Sequence, residues 1–116
     1  MDEKIRIITE KISLDVLKQV AQERFGDLVK AVVDVEKGIM AIGGELHSDE
    51  EAMLLSVGSK QENLWGINLY PEMGGADFVE FDSMINIRPR QNNRSRGVED
   101  MVIREKILQV VMRLIG

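Results

Sequence analysis

The stretch Val29-Lys30-Ala31-Val32-Val33-Asp34-Val35-Glu36-Lys37-Gly38-Ile39-Met40-Ala41-Ile42-Gly43-Gly44 decides the fold. Two short runs rich in β-branched residues flank Glu36-Lys37-Gly38, a tight turn containing glycine, and that arrangement specifies a β-hairpin. Upstream, Lys4 to Thr9 carries Ile5, Ile7 and Ile8 and reads as a first or edge strand. A helix over residues 14–25 lies between the two. Ser13 is a good N-cap, Asp15 falls in the first turn, and Ile12 with Leu17 is placed as a hydrophobic staple. Leu14, Val16, Leu17, Val20, Ala21 and Phe25 share half of the helical wheel, and Gly26 stops the run.

Downstream of the hairpin, Ser48 followed by Asp49, Glu50 and Glu51 has the form of a capping box. Gly58 would close a short helix carrying Ala52, Leu54 and Leu55, although an extended reading of this piece stays open. Leu64 to Tyr70 and Val79 to Arg88 then form a second strand pair. Trp65, Ile67 and Leu69 share one face with Val79, Phe81, Ile85 and Ile87; Asn68, Tyr70, Glu80, Asp82, Asn86 and Arg88 occupy the other. Pro89 ends that strand because it cannot donate to a ladder. Asp100 caps a last helix whose stripe is Ile103, Ile107, Val110, Val111, Leu114 and Ile115. The expected architecture is α+β: a mixed or mainly antiparallel sheet of about five strands, two main helices packed on one face, and a short third helix. Residues 1–116 make a single globular domain.

Composition bounds the partners. With 44% hydrophobic and 30% charged residues the chain is ordinary for a globular domain. A net charge of -5 and a pI near 4.9 make nucleic acid an unlikely general partner, since nonspecific phosphate affinity needs accumulated positive charge. There is no cysteine, which excludes disulfides, thiolate metal sites and cysteine nucleophiles. The start Met-Asp-Glu-Lys-Ile lacks a signal-peptide stretch, and the longest apolar runs fall far below the roughly 20 residues that span a bilayer, so the expected location is the cytoplasm, away from membranes. Walker-type loops, dinucleotide fingerprints, serine elbows and His-Glu-x-x-His patterns do not occur, and the cofactor is left unknown. The seven methionines read as core filler.

Against the acidic background, four of the eight arginines fall in one stretch, Ile87-Arg88-Pro89-Arg90-Gln91-Asn92-Asn93-Arg94-Ser95-Arg96-Gly97. Planar guanidinium forks suit carboxylates and phosphates, and the stretch leads from a strand end towards a helix start. Arg88, Arg90, Asn93, Arg94 and Arg96 are therefore candidate anion ligands, with Asp82 and Asn86 of the preceding polar face as the pocket floor. The competing reading is a surface loop folded over its own domain, its arginines paired with Glu99, Asp100 and the acids at 49–51.

A second cluster, Gly43-Gly44-Glu45-Leu46-His47-Ser48-Asp49-Glu50-Glu51, holds the only histidine. If the strand runs past Gly44, then Glu45, His47 and Asp49 point the same way and could share one ion or one water. The reading carried forward is acid/base: His47 moves a proton, its unperturbed pKa of about 6.5 suiting that task, and Glu45 or Asp49 positions it. No metal site is assigned. A lone histidine beside a helix cap is also read as an ordinary hydrogen-bonded surface residue.

Glu23-Arg24-Phe25-Gly26-Asp27, Ala31-Val32-Val33-Asp34-Val35-Glu36-Lys37-Gly38, Gly43-Gly44-Glu45-Leu46-His47, Leu64-Trp65-Gly66-Ile67-Asn68 and Asn93-Arg94-Ser95-Arg96-Gly97-Val98-Glu99-Asp100 together resemble a family of small prokaryotic proteins described as a domain of unknown function. The resemblance covers nearly the full length and implies no activity or catalytic residue. Functionally, the residues lead to a domain that binds an anionic phosphate- or carboxylate-bearing small molecule, as an enzyme with His47 as acid/base in the sharper version. The alternative is a noncatalytic protein-interaction or homo-oligomerisation module using the same loop.

Overall fold

In a computed structural model that describes residues 2–116, the elements follow in the order β1 (Arg6–Ile8), α1 (Leu14–Gln22), β2 (Val29–Asp34), β3 (Ile39–Ile42), α2 (His47–Ser56), β4 (Leu64–Leu69), β5 (Val79–Glu80) and α3 (Met101–Leu114). The five strands form one antiparallel sheet in the order β1-β3-β2-β4-β5. The hairpin of β2 and β3 is its centre. Its turn is built by Asp34, whose Oδ1 accepts from the N–H groups of Glu36 and Lys37, both at 2.9 Å, while Gly38 takes φ +68° to bring the chain round. Asp34 is buried, and its other carboxylate oxygen accepts from Ser59 Oγ at 2.7 Å.

Burial alternates along the strands into two clusters. Ala31, Val33, Met40, Ile42, Trp65 and Ile67 pack with Leu17, Val20 and Ala21 of α1 and with Ile107, Val110, Val111 and Leu114 of α3. Val32, Ala41 and Leu64, which point to the opposite face, pack with Leu54 of α2. The short third helix thus covers the second side of the sheet, where the two main helices do not pack. β4 is accordingly buried at every residue, Asn68 included.

Helix ends follow local chemistry. Ser13 caps α1 by accepting from Val16 N–H at 3.1 Å; the helix closes at Gln22, three residues sooner than the apolar spacing predicts, and Gly26 at φ +88° turns the chain out. Asp100 caps α3 through Val102 N–H at 2.8 Å. For α2 the expected cap at Ser48 does not occur: the helix begins at His47 behind Leu46, with no side-chain cap. Glu51, the acid three residues after Ser48, lies partly buried near Arg88, and Glu50 reaches back past the helix start to Gly44 N–H (2.9 Å).

The long second strand expected from Val79 to Arg88 is the main departure. Only Val79 and Glu80 pair with β4; beyond them the chain leaves the sheet and forms a 3-10 turn at Met84–Asn86. The cause is local. Ser83 lies flat on Gly66, where a Cβ would sit 2.5 Å from Ser83 Cβ. Asn86 then replaces a strand: its Oδ1 accepts from Gly66 N–H at 2.8 Å and its Nδ2 donates to Gly66 C=O at 2.9 Å. The alternating pattern was real, but a carboxamide imitated the backbone it seemed to decorate. The methionines depart as well, for Met73, Met84, Met101 and Met112 are all more than half exposed, and among the described methionines only Met40 is fully buried.

Candidate functional site

The arginine stretch is tied down by its asparagines. Arg88 and Asn93 exchange backbone hydrogen bonds at 2.7 and 3.2 Å, closing a loop around the 3-10 turn Pro89–Gln91, with Asn92 in the left-handed region at φ 59°. Asn93, 2% exposed, accepts from Glu99 N–H (2.8 Å) and donates to the carbonyls of Asn86 (2.7 Å) and Gly97 (2.8 Å). Asn86 Nδ2 also reaches Arg96 C=O at 3.0 Å. Neither carboxamide keeps a free donor. Both residues, expected to touch a ligand, instead hold the loop in shape.

The four arginines part company. Arg88 turns inward, donating to the carbonyls of Gln61 and Leu64 (2.6 Å to the latter) and lying 4.1 Å from the Trp65 ring centroid, so its fork is spent on the fold. Glu51 faces it, and burial raises that carboxyl's pKa while Arg88 opposes the rise. Arg90 and Arg94 are exposed, and their guanidinium groups have no hydrogen-bond or ion-pair partner among the described residues. The free backbone N–H groups of Arg94 and Ser95, a natural anion nest, are filled by Glu99 Oε2 at 2.8 and 2.9 Å; these bonds hold the Glu99 carboxyl below its ordinary pKa. Arg96 lines a cavity. Its Nε donates to Asp82 Oδ1 at 2.6 Å, leaving its terminal nitrogens available.

That cavity, of about 190 Å³, lies between the start of α2 and the sheet edge vacated by β5, and Lys30, His47, Ser48, Asn68, Asp82 and Arg96 line it. It joins three residues singled out from the sequence, His47, Asp82 and Arg96. The expected carboxylate partners of His47 are elsewhere. Because His47 opens a helix instead of continuing a strand, Asp49 lies about 200° round the axis from it. Glu45 is exposed, with its carboxylate 3.9 Å from Arg24. A backbone group takes their place: His47 Nε2 lies 2.8 Å from Ile67 O and donates to it, which holds the ring and leaves Nδ1 to act as an acceptor. Burial lowers the His47 pKa below 6.5, with Lys30 and Arg96 pushing the same way and the Ile67 carbonyl and Asp82 opposing. The imidazole is therefore neutral at pH 7, the form a general base needs.

Lys30 and Ser48 are members that the sequence reading left out of the site, and Asn68 it placed on the polar face of Asp82 without a site role. Lys30 and Asn68 stand opposite each other in the β2–β4 register. A period-two count on β2 puts Lys30 on the face of Val32 and Asp34, but the β2–β4 pairing is needed to bring it to Asn68. A larger cleft of about 870 Å³ runs between α3 and the loop before β5; its walls are mostly apolar, among them Met73, Met101 and Met112, and its cation Arg104 is tied to Val98 C=O and stacked on Phe81. It lacks the convergent polar groups of a chemical site. Among the described residues no cluster of three carboxylate or imidazole side chains could hold a metal ion, and no helix is long and apolar enough to cross a membrane.

The model of one protein family matches residues 6–114 of this chain. The chain belongs to DUF5674, a family described as proteins of unknown function. No curated protein and no solved structure matches it. Within DUF5674 this chain's site therefore rests on its own geometry: a neutral histidine, two cations and a half-used asparagine around one small cavity.

Proposed function

We propose that this domain binds a small phosphate- or carboxylate-bearing anion in the cavity between α2 and the sheet edge, and that His47 moves a proton there. The observation that carries the reading is the convergence of His47 and Arg96, far apart in sequence, on one cavity that also holds Lys30. Each group has a role. Arg96, oriented by Asp82, offers a planar fork; Lys30 adds a second positive charge; and the uncapped first turn of α2 supplies backbone N–H groups whose dipole favours an anion. His47 Nδ1 accepts a proton from a bound hydroxyl or water, while the Ile67 carbonyl stabilises the imidazolium that forms.

Calorimetry with inorganic phosphate and small carboxylates tests this. The wild type should bind at least one of them, and Arg96→Ala or Lys30→Ala should weaken binding by about tenfold each, the size of one lost charge-assisted hydrogen bond. Failure of every such anion to bind the wild type would overturn the reading. The exposed, unpartnered Arg90 and Arg94 favour a second role for the same loop, docking an acidic protein surface or a second copy of the chain. Light scattering that detects a salt-sensitive dimer lost in Arg90→Ala/Arg94→Ala would support the self-association form of that role.

A further inference from the structure

The two nitrogens of the His47 ring meet different fates. Nε2 is committed to Ile67 C=O at 2.8 Å, a bond that fixes the tautomer and leaves Nδ1 with a bare lone pair. The residue is only 9% exposed, yet Nδ1 has no hydrogen-bond partner among the described residues and is not shut off from solvent, so the ring presents that lone pair to the cavity it lines. Such a lone pair is a nucleophile as well as a base. Burial, with Lys30 and Arg96 nearby, keeps the ring neutral and the pair free at pH 7. Lys30 and Arg96 line the same cavity against the single carboxylate Asp82, which leaves one positive charge in excess, and the uncapped first turn of α2 ends there at Ser48. Cations and a helix start suit an electrophile that is anionic before, during and after attack, which describes a phosphoryl group. With about 30 Å³ per water-sized group, 190 Å³ holds roughly six non-hydrogen atoms, enough for a phosphoryl group and the first atom of its leaving group but not for a nucleotide. Leu46 and Met84 line the cavity while more than half exposed, so it opens at the surface and the rest of a donor lies outside.

Resting on the phosphate form of the anion reading above, we infer that His47 Nδ1 accepts a phosphoryl group from an acyl phosphate and is itself converted to an N-phosphohistidine. The Nδ1 lone pair forms the N–P bond as the P–O bond to the acyl group breaks, and the carboxylate departs with that electron pair. The Nε2 proton stays on the ring, where the Ile67 carbonyl accepts it and stabilises the imidazolium. Arg96, oriented by Asp82 with its terminal nitrogens unused, and Lys30 hold the phosphoryl oxygens throughout. The donor class follows from the same inventory. A phosphate ester needs a proton for its leaving alkoxide, and the imidazole that would supply one is the nucleophile; an acyl phosphate releases a carboxylate that needs none.

The test is incubation of the whole chain with acetyl phosphate, followed by intact mass, peptide mapping and phosphorus NMR. His47 is the only histidine, so the folded protein should gain one phosphoryl group, labile in acid, at that residue and as the Nδ1 isomer. The same chain unfolded in urea, without the cavity, should stay unmodified, as should His47→Gln. Arg96→Ala and Lys30→Ala keep the nucleophile, and each should slow the reaction about tenfold at subsaturating donor, the size of one charge-assisted hydrogen bond. Where His47→Gln does not fold, the mapped site and these two variants decide. No phosphoryl gain, a gain at Nε2 or at another residue, an equal gain in urea, or acetylation of lysines alone would overturn the inference. The anion reading stands in each of those cases if inorganic phosphate binds the wild type in calorimetry. Neither phosphoryl gain nor binding of any small anion would remove both.

Discussion

Glu50 offers the sharpest test of how this fold handles charge. It sits on α2 with no measurable exposure; Oε2 accepts from Gly44 N–H at 2.9 Å, and Oε1 has no partner among the described residues. Burial drives its pKa well above 4.5, with Asp2 and Asp49 adding to the rise and the Gly44 bond and Lys30 only partly opposing it. The folded chain therefore keeps a proton that the unfolded chain gives up near pH 4.5. Above that pH the folded state binds more protons than the unfolded one, so stability falls as pH rises, by up to about 1.4 kcal/mol per unit until the folded carboxyl itself ionises. Glu50→Gln keeps the shape and the acceptor for Gly44 N–H but cannot ionise. Relative to wild type it should be near neutral at pH 5 and gain up to about 2.7 kcal/mol by pH 7. Urea denaturation followed by the fluorescence of Trp65, the only tryptophan, at pH 5, 6 and 7 measures this directly. Titration of His47 is common to both proteins and cancels in the difference. A stability difference that stays flat across the three pH values would refute the assignment of a neutral buried carboxyl.

Three further outcomes follow from the same geometry. Asn86→Ala strands the N–H and C=O of Gly66 and the C=O of Arg96, and at 1–3 kcal/mol for each buried polar group left unpaired it should cost about 3 kcal/mol or more in urea denaturation; a loss under about 1 kcal/mol would mean that the carboxamide does not stand in for a strand. Gly66→Ala should cost about 1–3 kcal/mol through overpacking against Ser83, and in a double-mutant cycle with Ser83→Gly the two effects should couple; additivity would place the strain elsewhere. The His47 imidazole, followed by NMR, should titrate below 6.5, and its contribution to stability should be lost as pH falls through that range because the unfolded chain takes up the proton first; a midpoint at or above 6.5 would contradict its burial.

The hairpin of β2 and β3, the caps at Ser13 and Asp100, and the glycine stop after α1 were legible because each depends on neighbours in sequence: an Asx turn, a hydroxyl or carboxylate two or three residues ahead, a positive φ. The start of α2 was not. Its capping-box letters, Ser48 and Glu51, are present, yet the helix starts one residue before Ser48 and Glu51 lies near Arg88, a neighbour that only the tertiary fold brings. The same holds for the arginines. Four similar side chains in one loop gave no local sign that Arg88 would stack on Trp65, that Glu99 would fill the backbone nest, or that Arg96 would line a cavity. Charge clustering located the region; the division of labour within it is tertiary.

One cause links the misread strand to the cavity. A full β5 running to Arg88 would have continued along the edge of β4 past Ile67 and Gly66, and its polar face would have been plain sheet surface. Instead the chain leaves the sheet after Glu80, with Ser83 three residues on seated against Gly66, and Asn86 takes over the pairing that Gly66 would otherwise lack. Asp82 and Ser83, the residues at that exit, now line the cavity, and Arg96 enters because its carbonyl is held by Ser83 N–H at 2.9 Å and by Asn86. On the other wall, α2 lies on the same face, so the uncapped turn at His47 meets the vacated edge. Filling the edge and making the site are mutually exclusive uses of the segment after Glu80. A sequence that restored the alternation, with a β-branched residue in place of Gly66 and a strand former in place of Asn86, would gain ladder bonds and lose the cavity.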